Sequence, residues 1–180
     1  MSKAIRKIIE TKIGTIRLRR PSKSDGAAVW RLIARCKPLD ENSMYFNLVQ
    51  CDHFAQTCVL AEKDGEVVGW VSGHIPPDND ATIFVWQVAV CESARGIGLG
   101  GRMLSALLER SVCENVTRME TTITRDNDAS WALFRGFARR QGGALRHAPH
   151  FECDAHFDGV HATEHLVTIA LDAGAERKAA

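Results

Sequence analysis

"VWQVAVCESARGIGLGGRMLSALLER", residues 85–110, joins three pieces whose order decides the fold. Val85–Val90 is apolar at nearly every position, the pattern of a strand buried on both faces. Met103, Leu104, Leu107 and Leu108 recur at helical spacing. Between them stands a turn with four glycines in the six residues 96–101. A plain left-handed turn between strand and helix needs one glycine. Repeated glycine lets the backbone N–H groups of a helix start approach a phosphate, where the helix dipole favours negative charge. A phosphate-bearing ligand is therefore expected at Arg95, Gly96, Ile97, Gly98, Leu99 and Gly100, with the Arg95 guanidinium adding one charge-assisted contact.

Two readings of that ligand compete. Gly96, Gly98 and Gly101 spell G-x-G-x-x-G, and Glu120 follows about twenty residues later, as a dinucleotide fingerprint requires. That fingerprint, however, starts at the very end of its strand and opens the first βαβ unit of a domain. Here Cys91–Arg95 intervene, and a β-hairpin comes first: "TCVLAEKDGEVVGWVSGHIPPD" carries two β-rich runs around Asp64-Gly65, a strong hairpin signal.

Further from the turn, "GTIRLRRP" reads as a strand, followed by a helix that starts at Ser22 and Asp25 and stops at Pro38. "ENSMYFNLVQCDHF" is a second helical segment, approached through Leu39-Asp40-Glu41-Asn42. "RMETTIT" is a strand with Glu120, Thr122 and Thr124 on one face, "DNDASWALFRGFARR" a helix, and "EHLVTIAL" a last strand; residues 144–152 can hold one more. The expected fold is α/β (α+β), a mixed, mostly antiparallel sheet flanked by helices. Residues 14–171 are expected to form one domain, between a loose N-terminal extension (1–13) and a C-terminal tail (172–180).

Composition narrows the function. In 180 residues, 23 basic against 22 acidic side chains leave a net charge of +1, so no nucleic-acid or anionic-membrane partner is expected. With neither a membrane-length apolar run nor a signal peptide, the chain is expected in the cytoplasm. The six cysteines read as reduced thiols packed as small hydrophobes. Cys153, His156, His161 and His165 have half of a zinc-finger spacing but lack the first cysteine pair, and no metal is expected.

The run Arg95-Gly96-Ile97-Gly98-Leu99-Gly100, placed after a hairpin and a long central strand, resembles the acyl-CoA-binding turn of the GCN5-related N-acetyltransferases. The resemblance implies acetyl-CoA as donor. It also implies that Asn127, opening the helix after the next strand, lies near the pantetheine arm, and that Phe134, seven residues on, faces the thiol. Many family members carry tyrosine there as proposed general acid, and phenylalanine has no proton to give. Backbone N–H groups around Val88, Ala89 and Val90 are expected to polarise the thioester carbonyl; in the family, a bulge splays this strand and frees them.

"LDENSMYFNLVQC", "FVWQVAV", "ETTITRDNDASWALFR" and "HFDGVHATEHLV" are more specific. They resemble the branch of that family that acetylates L-2,4-diaminobutyrate at N4 on the way to the compatible solute ectoine, which also implies a homodimer. An acceptor with two amines and one carboxylate needs anionic or carbonyl groups for ammonium and donors for carboxylate. Asp40, Asn42, Ser43, Tyr45, Trp86, Thr122, His161 and Glu164 are the candidates, with Glu120 and Asp40 as general bases. Each has a plainer reading. Tyr45 and Trp86 are of types more often found in cores, Asp40 can be a helix N-terminal acid, and Glu164 a solvated strand edge. Glu120, in a strand expected to be interior, is harder to explain without a use. No cysteine has a base beside it, so direct attack in a ternary complex is expected rather than an acyl-enzyme. Other small amines, a protein N-terminus, or a non-catalytic acetyl-CoA sensor remain alternatives.

Overall fold

The computed structural model describes residues 7–37 and 39–171. Its strands hydrogen-bond in the order β1 (Lys7–Thr11), β2 (Gly14–Arg19), β3 (Val59–Lys63), β4 (Glu66–His74), β5 (Thr82–Val90), β6 (Arg118–Thr124), β8 (Glu164–Ala170), β7 (Leu145–Phe151). The chain groups into two compact units, one of residues up to His74 with Trp86–Glu114, the other of Ile75–Val85 with the residues from Asn115 on.

In the first unit, β1 (Lys7–Thr11) and β2 (Gly14–Arg19) pair antiparallel, with Ile9 opposite Ile16. Residues 7–11 are thus a strand and not part of a loose extension, while residues 1–6 and 172–180 lie outside the described residues. The signal in "KIIET" was short: Ile9 is buried and Ile8 points out at 65% exposure, so only one side chain marks the inner face. β2 pairs with β3 (Val59–Lys63), and β3 with β4 (Glu66–His74), all antiparallel. Asp64 and Gly65, at φ 50° and 83°, make the tight hairpin turn that their types predict. Helices α1 (Gly26–Ala34) and α2 (Met44–Asp52) cover this sheet. Val29, Leu32, Ile33, Cys36, Cys51, Cys58, Leu60, Trp70 and Ala89 form one buried cluster. Burial pushes the Cys51 and Cys58 thiols up to about 12, which keeps them protonated as apolar packing groups. The six cysteines are free thiols; Cys36, Cys51, Cys58 and Cys113 are buried as expected, and Cys91 and Cys153 are only half-buried.

The entry to α1 is an ionic knot. Arg19 donates to both Asp25 oxygens at 2.8 and 2.7 Å, and the Ser22 N–H donates to Asp25 Oδ2 at 2.8 Å. The Arg19 hydrogen bonds outweigh desolvation and hold the Asp25 carboxyl below its ordinary value. A carboxylate depressed in the folded state stabilises fully above its unfolded value and loses that contribution as pH falls through the folded one. Asp25→Asn should therefore lower the melting temperature at neutral pH, with a gap to the parent that narrows as pH falls below the ordinary aspartate range, checked by thermal melts across pH 2–7. A constant gap down to pH 2 would refute this linkage.

In the second unit, Thr82–Phe84 of β5 (Thr82–Val90) run parallel to Arg118–Glu120 of β6 (Arg118–Thr124). β6 pairs antiparallel with β8 (Glu164–Ala170), and β8 with β7 (Leu145–Phe151), whose register shifts between Pro149 and Phe151. The alternation read in "RMETTIT" holds: Met119, Thr121 and Ile123 are buried, and Glu120, Thr122 and Thr124 are half-buried on the other face. Helix α4 (Asp128–Arg140) buries Trp131, Phe134, Phe137 and Ala138. A short helix, α5 (Cys153–His156), follows β7.

Candidate active site

After Val90 the chain leaves the sheet with the Cys91 N–H on the Val68 carbonyl at 2.9 Å, then makes one 3-10 turn, Glu92–Ala94. Gly96 and Gly98 follow at φ 74° and 72°, and Gly98 caps α3 (Leu99–Leu108). A Cβ at either glycine would meet nothing within 4 Å, so it is backbone conformation, and not crowding within the chain, that demands glycine. The first intrahelical bond is Arg102 N–H to the Gly98 carbonyl at 3.1 Å. The N–H groups of Leu99, Gly100 and Gly101 precede it and are the orphan donors of a helix start. These donors, at the positive end of a ten-residue helix, are what a pyrophosphate needs. Arg95 is exposed, and its Nε donates to the Val90 carbonyl at 3.2 Å, which ties the turn back to β5. The Cys36 thiol reaches the same carbonyl at 3.5 Å. Cys91 shares a 3.3 Å hydrogen bond with Ser93, and that bond, helped by Arg35 and Arg95, lowers its thiol.

Forcing an ordinary residue into the left-handed conformation costs about 1–2 kcal/mol. Gly98→Ala should accordingly raise the apparent Km for acetyl-CoA by about 5–30-fold, with a smaller change in kcat, as measured by initial rates. An unchanged Km would mean that this backbone does not meet the donor.

Residues expected at the acceptor divide between the units. In the first, Asp40 and Ser43 are exposed and Asn42 is half-buried. The Ser43 hydroxyl accepts the Phe46 N–H at 3.1 Å and so caps α2. Tyr45 is 76% and Trp86 51% exposed, which corrects the core reading of both. Trp86 stands out because its ring packs on Phe46 of α2 at 5.2 Å between centroids, with His74 at 6.5 Å. Ala89 is buried in the core cluster, whereas Val88 and Val90, on either side, are half-buried.

In the second unit, Glu120 lies 3.8 Å from Arg118 Nε, which itself donates to Thr82 Oγ1 at 2.8 Å. Thr122 shares its face. Asn127 Oδ1 accepts the Ser130 N–H at 3.1 Å, so this side chain caps α4. Phe134 is 3% exposed. Glu164 pairs across β8 with Thr124 and Phe151, and His161 Nδ1 lies 2.7 Å from the Ala162 carbonyl. Arg125, Asp126, Glu152, Thr163 and His165 line a cavity of about 540 Å³. His165 is buried at 3% exposure, and Arg125 Nε donates to its Nε2 at 3.3 Å. Sequence reading missed Arg125: an arginine between strand and helix carries no periodic or spacing signal. Among the described residues, no group of three or more His, Cys, Asp or Glu side chains is placed to hold a metal ion.

Among the described residues, a mixed sheet of eight strands with a glycine-rich turn leading into α3 defines the class, and the comparison with known proteins agrees. The profile of the Acetyltransferase (GNAT) family matches residues 26–137, and the chain belongs to that family. Its relatives are narrower in kind. It is 49% identical over 160 residues, 89% of this chain and 93% of the other, to the L-2,4-diaminobutyric acid acetyltransferase of Methylotuvimicrobium alcaliphilum. To the protein of the same name in Vibrio cholerae it is 46% identical over 153 residues, 85% of this chain and 88% of that one. Among solved structures it is similar to the diaminobutyrate acetyltransferase EctA from Paenibacillus lautus, in complex with its substrate L-2,4-diaminobutyric acid and coenzyme A. The TM-score is 0.82 and the identity 37%, over 87% of this chain and 95% of that one.

Proposed function

We propose that this chain transfers the acetyl group of acetyl-CoA to the N4 amine of L-2,4-diaminobutyrate, giving N4-acetyl-L-2,4-diaminobutyrate for ectoine synthesis. The observation that carries the reading is the 49% identity along 89% of the chain to an enzyme of that name. The left-handed glycines before α3 supply donor chemistry of the matching kind. The catalytic domain starts with β1 at Lys7 and runs to residue 171, and it acts as a cytoplasmic homodimer.

The glycine turn and the start of α3 take the pyrophosphate, and Asn127 and Phe134 flank the pantetheine arm. Asp40, Asn42, Ser43, Tyr45, Trp86, Thr122, His161 and Glu164 receive the diamino acid. Its amine attacks the thioester carbonyl directly, and backbone N–H groups around Val88–Val90 stabilise the oxyanion. The amine must first lose a proton. With a reference pKa near 10.4, holding it neutral at pH 7 costs about 3.4 units, or roughly 4.6 kcal/mol. Glu120 is the base, directly or through water, with Asp40 the second candidate. A carboxylate beside an ammonium also strengthens its hold on the proton, so desolvation or relay must offset that attraction. Phe134 cannot protonate the leaving thiolate. With a thiol pKa of about 8.5, coenzyme A leaves without that help.

The test is a panel of small amines and peptide N-termini with acetyl-CoA, thiol release as readout and NMR for the acetylated position. L-2,4-diaminobutyrate should be turned over, at N4. Turnover only of another amine would sink the substrate assignment. Coenzyme A binding without acceptor-dependent thiol release would favour a sensor, the reading that phenylalanine at position 134 suggests.

A further inference from the structure

The strand that carries Trp86 and Val88 holds between them a polar side chain with 7% exposure, Gln87. Its Nε2 donates to the Asp40 backbone carbonyl at 3.0 Å, across 47 residues of chain. Because a peptide carbonyl only accepts, the amide end of Gln87 must face Asp40, which sets the orientation of the side chain. Its other end, Oε1, is buried without a hydrogen-bond partner among the described residues. An apolar residue would fill this interior strand position without leaving a buried oxygen unsatisfied. What the glutamine adds is the bond to the loop.

That loop, Leu39–Ser43, is held at two more points. Trp30 Nε1 of α1 donates to the Asn42 carbonyl at 3.1 Å, and the Leu39 side chain packs against the core cluster. The carbonyls of Asp40 and Asn42 are thus turned to donors on β5 and α1, while the Asp40 and Glu41 side chains are exposed. Holding the peptide after Asp40 restricts the backbone of the residue whose carboxylate the proposed function assigns to the acceptor.

We infer that Gln87 is a positioning residue for acceptor binding: it fastens the Leu39–Ser43 loop to β5 and so sets where the Asp40 carboxylate stands. It acts through Asp40 and need not touch the diamino acid. This rests on the reading that the loop receives the acceptor.

The experiment compares Gln87→Met, close in size but without an N–H, with the parent and with Asp40→Ala. One buried hydrogen bond corresponds to about a tenfold change in an equilibrium constant. Gln87→Met should raise the acceptor Km about tenfold while the acetyl-CoA Km stays within about twofold of the parent. Amide exchange in residues 39–43 should quicken by a similar factor. Combined with Asp40→Ala, its effect on acceptor Km should be less than additive, because both act through one residue. A parent-like acceptor Km in Gln87→Met, with Asp40→Ala raising it, overturns the role of Gln87 and leaves the acceptor reading standing. Parent-like values in both variants overturn the two together. Should the methionine variant fail to fold, Gln87→Glu keeps the size and, ionised, has no N–H to give; a parent-like acceptor Km in that variant overturns the proposal equally.

Discussion

Glu120→Gln should lower kcat about 10²–10⁴-fold at neutral pH, the range over which a positioned general base contributes, with little change in melting temperature. The substitution keeps the side chain's shape and removes only its charge. Its Arg118 contact is a 3.8 Å approach between side chains 42% and 21% exposed, a class of ion pair worth about 0–1 kcal/mol. Stability and chemistry should therefore separate cleanly. The residual rate should climb steeply with pH, by about tenfold per unit below the amine's pKa near 10.4, because solution must then deliver the neutral amine that the carboxylate no longer prepares. Initial rates from pH 6 to 10, beside thermal melts, check both parts. Parent-like activity at pH 7 would remove Glu120 as base and shift the role to Asp40.

Gly143→Ala should be the most damaging single-methyl change, by about 3–4 kcal/mol, from overpacking plus a lost backbone hydrogen bond. A Cβ there would stand 2.0 Å from the Ala170 carbonyl oxygen, a backbone atom that cannot step aside as a flexible side chain can. The adjacent pairing, Ala170 N–H to the Ala144 carbonyl at 3.1 Å, would have to open with it. For a chain of this size about 2–4 °C of melting temperature goes with each kcal/mol, so a drop of about 6–16 °C is expected by calorimetry. A loss below about 2 °C would mean that the loop between α4 and β7 and the end of β8 separate freely. Gly26→Ala makes a useful contrast. Its Cβ would come within 2.6 Å of Leu48 Cδ2, which can rotate away, and within 2.9 and 3.0 Å of Leu48 Cγ and Cα, which cannot; none is as close as the 2.0 Å at Gly143, so a smaller loss is expected.

How much of this was legible beforehand follows the range of the interactions. The hairpin at Asp64-Gly65, the helix entry at Ser22 and Asp25 and the left-handed glycines before α3 are local, written within a few residues and recovered in place. β1 was not, because a strand of five residues with one buried side chain becomes recognisable only when Ile9 finds Ile16. Tyr45 and Trp86 show the same limit from the other side. Aromatic type argued for the core, and only the packing of Trp86 on Phe46 at the surface revealed otherwise.

By itself the sequence determined the family and the donor, since a glycine-rich helix start is a property of consecutive residues and their dihedral preferences. Tertiary structure alone decided what holds the acceptor loop. Gln87 and Asp40 are 47 residues apart, and no periodicity or spacing rule links a strand's side-chain amide to a carbonyl on a distant loop. A contact of that kind exists only once the intervening helix and hairpin have packed, and its energy enters after the chain has already closed the distance.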